Sequence, residues 1–403
     1  MGSADLSSGR GMTRGVHTHG TGVGDLGSGQ LWAAGVFARA ATAAAQVLDS
    51  YVQRGQQGIG PVLCRLPPQE ISDRLNLRKW IRDGGMTTGT LVEFLTAYLE
   101  QGTVLHHPGY MSHQCAVPDI GAAVGDLVHG VCNNAMSLYE MGAAGATVEL
   151  AVVDWMLTKI GWRSGTAAGV LNHGGSLANL VAMLAARASA FPSVWEQGTT
   201  PGAVILAPPG AHVSIVRAAA VLGLGSRAVR ALPTDDLGRV DAAAAAAAID
   251  AQHRAGRLVM AVVANACAAP TGLFDPIADL AEICGKRKVW LHVDAAHGGS
   301  ALLVPSLRHL LIGIDRADSV VWDAHKMLRT STLAAAVLLR RESDLHSALR
   351  ESADYLFFDG DRPGPDLMHY TIEGAKAELG LKVFLNLAWR GERGLADYVL
   401  GRH

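Results

Sequence analysis

The chain has 403 residues, 49% of them apolar and 17% charged, with 34 basic against 36 acidic side chains and a formal net charge of -2. That length exceeds one ordinary domain core, and the composition excludes a disordered or coiled-coil chain. Near-neutral charge and only 5% aromatic residues offer neither an electrostatic footprint for nucleic acid nor a stacking platform for single strands.

Residues 1–30 are rich in Gly, Ser and Thr without periodicity and read as a flexible arm. Their opening, MGSADLSSGRGMTRG, lacks an apolar signal core, so export is not expected. Residues 31–105 read as an N-terminal helical segment: LWAAGVFARAATAAAQVLDSYVQR repeats apolar residues at three- and four-residue steps, and residues 91–99 form another short helix. From Gly165 the rhythm changes. Short apolar runs alternate with helical stretches: GTAAGVLNH then SLANLVAMLAARA, AVILAPP then HVSIVRAAAVLG, RAVRALP then VDAAAAAAAIDAQHRAG. RLVMAVVANA, IADLAEICGKR, VWLHVDAA, DSVVWDAHK and LAAAVLLRR follow. This alternation predicts an α/β domain with a mostly parallel sheet covered on both faces, whose ligands gather beyond the carboxyl ends of the strands. No apolar run approaches the roughly 20 residues that span a bilayer. Cys64, Cys115, Cys132, Cys267 and Cys284 form no C-x-x-C pair, which points to free thiols in a reducing cytoplasm.

Four places have residue types that suit chemistry. Lysine is scarce, and Lys326 follows the apolar strand VVWDAH. Held against apolar walls its neutral amine would be available to condense with a carbonyl; the alternative is a lysine snorkelling from a strand end. Asp294 ends VWLHVD and precedes small residues, so it can approach a flat ligand. A buried carboxylate needs a partner, and a protonated ring nitrogen would serve; a helix cap or a metal is the other reading. His173-Gly174-Gly175-Ser176 lies between a strand and a helix. It suits either a phosphate cradle or a plain tight turn with an N-cap, and it is neither a P-loop nor a dinucleotide fingerprint. His212 opens a helix, where an imidazole either stacks on a planar cofactor or caps the helix, and His325 beside Lys326 could donate to phosphate.

Taken together and in order, GGSLAN, AHVSIVRA, HVDAAHGG and ADSVVWDAHKML resemble the pyridoxal-phosphate-dependent group II amino-acid decarboxylases. That family includes the glutamate, cysteine sulfinate, aromatic amino-acid and diaminobutyrate decarboxylases. The resemblance runs from His106-His107-Pro108 through Tyr139-Glu140 and Thr147-Val148-Glu149 to LKVFLNLAWRGERGL. It implies an aspartate-aminotransferase-like (fold type I) large domain over residues 106–340. It also implies a catalytic loop and the start of an incomplete C-terminal domain over 341–403, and an N-terminal segment that packs on a second copy. Lys326 is similar to the lysine that forms the internal aldimine with pyridoxal phosphate, and Asp294 to the carboxylate that keeps the pyridine nitrogen protonated. His212 resembles the imidazole over the ring and Ala296 the residue beneath it. Gly175, Ser176 and His325, with Asp323 nearby, correspond to phosphate positions, and Tyr355 to a mobile-loop tyrosine that protonates the carbanion; His212 is the other candidate for that catalytic proton transfer to Cα.

The implied activity is release of CO2 from an L-amino acid by a cytoplasmic homodimer, through the lysine aldimine and a quinonoid intermediate, with no nucleic-acid or membrane partner. Other Cα-carbanion chemistry, or a catalytically impaired paralogue serving as a partner subunit, are the alternatives. Departures from the family include Cys267-Ala268-Ala269 in place of Gly-Thr-Thr, and Lys376 in place of an arginine, which would turn a bidentate clamp into a point charge. His113-Gln114-Cys115 stands where the aromatic branch has Tyr-Phe-Pro. Together with Asn133, Asn134, Met136 and Tyr139-Glu140-Met141, it suggests an acidic or small polar substrate, with His113 and Gln114 as the substrate-binding residues.

Overall fold

A computed structural model describes residues 32–111, 113–199, 201–349 and 363–402, so the proposed arm at 1–30 and Tyr355 lie outside the described residues. The chain divides into two compact units, one ending at Ser112 and the other beginning at His113. The first holds α1 (Val36–Gln56), α2 (Pro68–Arg74), α3 (Leu77–Asp83) and α4 (Thr88–Glu100). Proline at the first position starts α2, where its missing N–H costs nothing. Helix α4 begins with a reciprocal cap: the Thr87 hydroxyl accepts from Thr90 N at 3.2 Å, and Thr90 Oγ1 accepts from Thr87 N at 2.8 Å. Among the described residues of this unit only Gly55 and Leu75 are buried. Four helices with so little enclosed surface lack a core of their own.

The second unit opens with α5 (Ile120–Cys132) and α6 (Ala143–Ile160), then alternates. Strand β1 (Ala168–Asn172) leads to α7 (Gly175–Ala190) and the single turn α8 (Val194–Gln197), and β2 (Ala203–Ala207) leads to α9 (Val213–Val221). After β3 (Val229–Ala231) come α10 (Ala242–Arg254), β4 (Leu258–Asn265), α11 (Ile277–Arg287), β5 (Trp290–Asp294), β6 (Ser319–Asp323) and β7 (Ala335–Leu339), with α12 (Glu342–Ala348) and α13 (Leu379–Leu400) closing the chain. The sheet order is β1-β7-β6-β5-β4-β2-β3. Pairing is parallel from β6 through to β3, while β7 runs antiparallel to both β1 and β6. The expected α/β fold with a mostly parallel sheet is therefore present. No helix among the described residues is long and apolar enough to cross a membrane.

Strands buried on both faces explain why their sequences are unbroken apolar runs rather than alternating ones. Leu171, Val204, Leu206, Val262 and Leu291 face one core, which Met156 of α6, Ile249 of α10, Leu280 of α11 and Val383 of α13 complete. Val170, Ile205, Ala207, Ala261 and Val263 face the other, under Val181 and Met183 of α7, Ile215 of α9 and Leu345 of α12. Helix α5 lies directly on α13 through Gly121 and Gly125, where a Cβ would stand 2.7 Å from the α13 backbone.

The buried ion pair of Lys376 with Glu149 stitches the segment before α13 to α6, and Glu149 Oε1 also accepts from Leu171 N at 3.0 Å in β1. Lys376 thus acts as a single-point partner inside the core and takes no place in the cavity described below.

Asp119, just ahead of α5, ties down the turn that follows Lys326. Its N–H donates to Arg329 O at 2.8 Å, and its carboxylate pairs with Arg329 at 3.0 Å and with Arg390 of α13. Asn386 of α13 donates to the same Arg329 carbonyl at 2.8 Å.

Candidate active site

The carboxyl ends of β1, β4, β5 and β6 finish in Asn172, Asn265, Asp294 and Asp323. These strands point the same way, so their polar ends gather along one edge of the sheet, where an open α/β sheet receives ligands. A cavity of about 490 Å³ lies there, within the usual range for a small-molecule site. His113, Gln114, Gly175, Ser176, His212, Asp294, Ala296, Asp323, His325 and Lys326, every sequence-predicted site residue that is described, line this one cavity. Residues 133–141, taken as a substrate signature, lie elsewhere: Met136 belongs to the core, and Asn134 donates to Glu378 at 3.2 Å.

Asp294 is nearly buried at the end of β5. Its Oδ2 accepts from Asn179 Nδ2 at 2.9 Å and its Oδ1 from Ala296 N at 3.2 Å, which leaves further lone pairs for a ligand. Asn179 and Asn265 also line the cavity. Neither stands out in the sequence-based reading. The available signal for Asn179 is that it is a polar residue within the apolar stretch LANLVAML, three positions after Ser176 and so on the same face. For Asn265 the signal is a strand end that matches Asp294 in register.

Helix α7 starts at Gly175, with Gly174 as its cap at φ 102°, a backbone shape that favours glycine. Gly174, Gly175 and Ser176 at this helix start border the cavity, and the first turn of a helix favours an anion. A Cβ on Gly175 would stand 2.8 and 2.9 Å from the two Asp323 carboxyl oxygens, so only glycine leaves this corner open. His212 caps α9: its Nδ1 accepts from Ser214 N at 3.2 Å and lies 2.8 Å from Ser214 Oγ, while the ring borders the cavity. The capping reading is realised, and it still leaves a ring edge for a ligand.

Lys326 and His325 follow β6 in the turn ahead of β7. The Lys326 ammonium stands 3.3 Å from Asp323 Oδ2 and His325 Nε2 stands 3.6 Å from the same oxygen. Burial pushes the Asp323 carboxyl up to about 7, with the charge of Asp294 adding to the shift and Lys326 opposing it. Asp323 Oδ1 has no hydrogen-bond partner among the described residues. Burial lowers the His325 imidazole and raises the Cys267 thiol, which also borders the cavity and therefore stays protonated. His113 and Gln114 occupy left-handed backbone at φ 66° and 52°, strain that concentrates at ligand sites, and Gln114 Nε2 donates to Ala269 O at 3.2 Å.

An amine, a buried carboxylate held by an amide, and a glycine-opened helix start facing an orphaned carboxyl oxygen together suit one flat, phosphorylated, aldehyde-bearing ring. The comparison with known proteins agrees. Residues 91–400 match the pyridoxal-dependent decarboxylase conserved domain, and the chain belongs to that family, whose cofactor is pyridoxal phosphate. It is 33% identical to the acidic amino acid decarboxylase GADL1 of Homo sapiens over 72% of this chain and 56% of that protein. It is 32% identical to the cysteine sulfinic acid decarboxylase of Homo sapiens over 77% of this chain and 63% of that protein. The matched region thus spans little more than half of these curated relatives. The crystal structure of mouse CSAD superposes with a TM-score of 0.84 at 27% identity, covering 92% of this chain and 78% of that one.

Proposed function

We propose that the protein is a carboxy-lyase that uses pyridoxal phosphate to release CO2 from an L-amino acid with an acidic or small polar side chain. One observation carries this reading: the amine of Lys326 and the carboxylate of Asp294 border the same cavity, beside the open start of α7. When bound, the cofactor supplies an electron sink for the pair left by the broken Cα–carboxylate bond. Lys326 offers the amine for the aldehyde carbon. Asp294, held by Asn179 and the Ala296 N–H, keeps positive charge favourable at the ring nitrogen. Gly175, Ser176 and His325 would hold the phosphate, and Asp323, protonated below about 7, has a hydroxyl to donate to it. His212 and Ala296 supply walls for the ring, and His113 and Gln114 supply polar groups for the substrate side chain. Tyr355 is proposed to return a proton to Cα.

The substrate class is supported by the two human relatives, whose names specify acidic amino acids and cysteine sulfinic acid. A homodimer is part of the same proposal. The first unit has almost nothing buried, and α5 exposes Ile120, Val124, Leu127, Val128 and Val131 along one stripe, the kind of surface a second copy covers. A cytoplasmic location fits the five free thiols.

The test is to incubate the full chain with pyridoxal phosphate and L-cysteine sulfinate, L-aspartate, L-glutamate or L-tyrosine, scoring CO2 and the visible absorbance of bound cofactor. Release from an acidic substrate, with both signals lost in Lys326→Ala, is expected. An absorbance band that survives K326A, or no CO2 from any of the four, refutes the reading.

A further inference from the structure

Behind the cavity wall runs a buried chain of hydrogen bonds whose direction the Asp294 carboxylate fixes. Trp290 Nε1 meets Ser319 Oγ at 2.8 Å, and Ser319 Oγ meets His292 Nδ1 at 2.9 Å. His292 Nε2 meets Asn179 Oδ1 at 2.9 Å. Asn179 Nδ2 reaches Asp294 Oδ2 at 2.9 Å and Ser214 Oγ at 2.8 Å, and Ser214 Oγ reaches His212 Nδ1 at 2.8 Å. Ser319 and His292 are wholly enclosed, and Asn179 and Ser214 nearly so, so water does not compete for these contacts.

At one end, an indole N–H can only donate. Ser319 therefore accepts from Trp290 and keeps its single hydroxyl proton to give to His292 Nδ1, an arrangement compatible with an imidazole proton on Nε2. At the other end, the Asp294 carboxylate can only accept, so the amide of Asn179 must turn its NH2 toward it and its oxygen toward His292. That oxygen requires a proton on His292 Nε2. The carboxylate end imposes this polarity and the indole end accommodates it. A charged imidazolium is disfavoured because burial pushes His292 down to about 4. The second amide proton of Asn179 goes to Ser214 Oγ, so the Ser214 hydroxyl points at His212 Nδ1, where the Ser214 N–H also points. Two donors converging on Nδ1 leave the proton of His212 on Nε2.

We propose that His292 and Asn179 are positioning residues: the one-way relay from Trp290 to His212 fixes the amide that holds Asp294 and makes His212 present an N–H, not a lone pair, on its ring edge away from Ser214. This rests on the reading of the cavity as the cofactor site, and it casts His212 there as a hydrogen-bond donor and not a base. The neutral imidazole of His292 does for Asn179 what a carboxylate does for a metal-bound histidine, setting orientation from one layer behind the contact.

The relay is testable in the full chain without cofactor. Imidazole nitrogen NMR on 15N-histidine-labelled protein, with His212 and His292 assigned through H212N and H292N spectra, reports which nitrogen carries each proton. The wild type is expected to show Nε2–H at both residues. Ser319→Ala should lower the His292 tautomer ratio about fivefold, the worth of one hydrogen bond, and Ser319→Thr should restore it. Asn179→Ala should lower the His212 ratio by about the same factor. An Nδ1–H proton at either histidine in the wild type overturns the relay, as does a His212 ratio unmoved in folded N179A. The wild-type spectrum suffices if the variants fail to fold. The expected tautomers without any cofactor absorbance would uphold the relay while refuting the proposed function, and the reverse pair of results would do the opposite.

Discussion

Asp323→Asn isolates the effect of a buried carboxyl on the pH response of the α/β unit. Asp323 is 2% exposed and titrates at about 7 instead of its usual 3.8. Between these values the unfolded chain has already released a proton that the native chain retains. Wild-type stability from this group is therefore fully present at acid pH, declines as pH rises from about 4, and levels off above about 7. At the constant conversion of pH units to free energy, the decline between pH 5 and pH 8 amounts to roughly 2–3 kcal/mol. The attraction of Lys326 is already contained in that figure, because it pulls Asp323 downward against burial. Asparagine keeps the shape of the neutral acid and does not titrate. Urea unfolding of the cofactor-free protein at a series of pH values should show D323N gaining roughly 2–3 kcal/mol on the wild type between pH 5 and pH 8. His292, pushed down to about 4, tilts the wild-type curve the other way below about pH 6.5, where the unfolded chain gains a proton that the native chain refuses. That tilt is common to both proteins and cancels in the difference. A difference that stays flat across the range would refute a raised Asp323.

Gly175→Ala should push a methyl against the Asp323 carboxyl oxygens, costing about 1–3 kcal/mol and weakening cofactor uptake, measured by thermal melts and absorbance titration. Unchanged values in both would remove the close approach from the account. Lys376→Met strands the Glu149 carboxylate in the core and should destabilise the chain by about 3–5 kcal/mol in urea, with K376M/E149Q recovering part of the loss. A loss below about 1 kcal/mol would show that the single-partner deletion leaves no uncompensated buried charge. Leu127→Asp, in the exposed stripe of α5, should convert a dimer to a monomer by light scattering, and a wild type that is already monomeric would contradict the dimer proposal.

The sequence displays Lys326, Asp294, His212 and the Gly175-Ser176 turn because each sits where an apolar strand gives way to polar or small residues, a boundary visible along the chain. Asn179 is much harder to read. Its importance depends on the Asp294 carboxylate and the His292 imidazole of β5 meeting one amide of α7, and its place within an apolar stretch does not reveal partners 115 and 113 positions away. The reversed direction of β7 is hidden for a similar reason. Strands buried on both faces read as apolar runs whichever way they point, so LAAAVLLRR shows a strand but not its orientation. Helices α5 and α6 precede the strand–helix alternation. Helix α5 reads poorly because Gly121 and Gly125 lower its helical propensity, and their purpose emerges only once α13 is laid against them. Lys376 is conspicuous in sequence, but its partner Glu149 lies far upstream, and only the fold shows that the pair belongs to the core.

The turn carrying Lys326 is moored by Asp119 ahead of α5 and by Asn386 in α13 as well as by the strands it joins. The Asp119 backbone N–H and the Asn386 side-chain amide, from widely separated stretches of the polypeptide, thus hold the Arg329 carbonyl, three residues beyond the amine. The placement of that amine thus depends on contacts from outside the sheet as well as on the strands beside it. A circular permutant or split version that interrupts either helix should therefore retain strand order and lose reactivity toward aldehydes first.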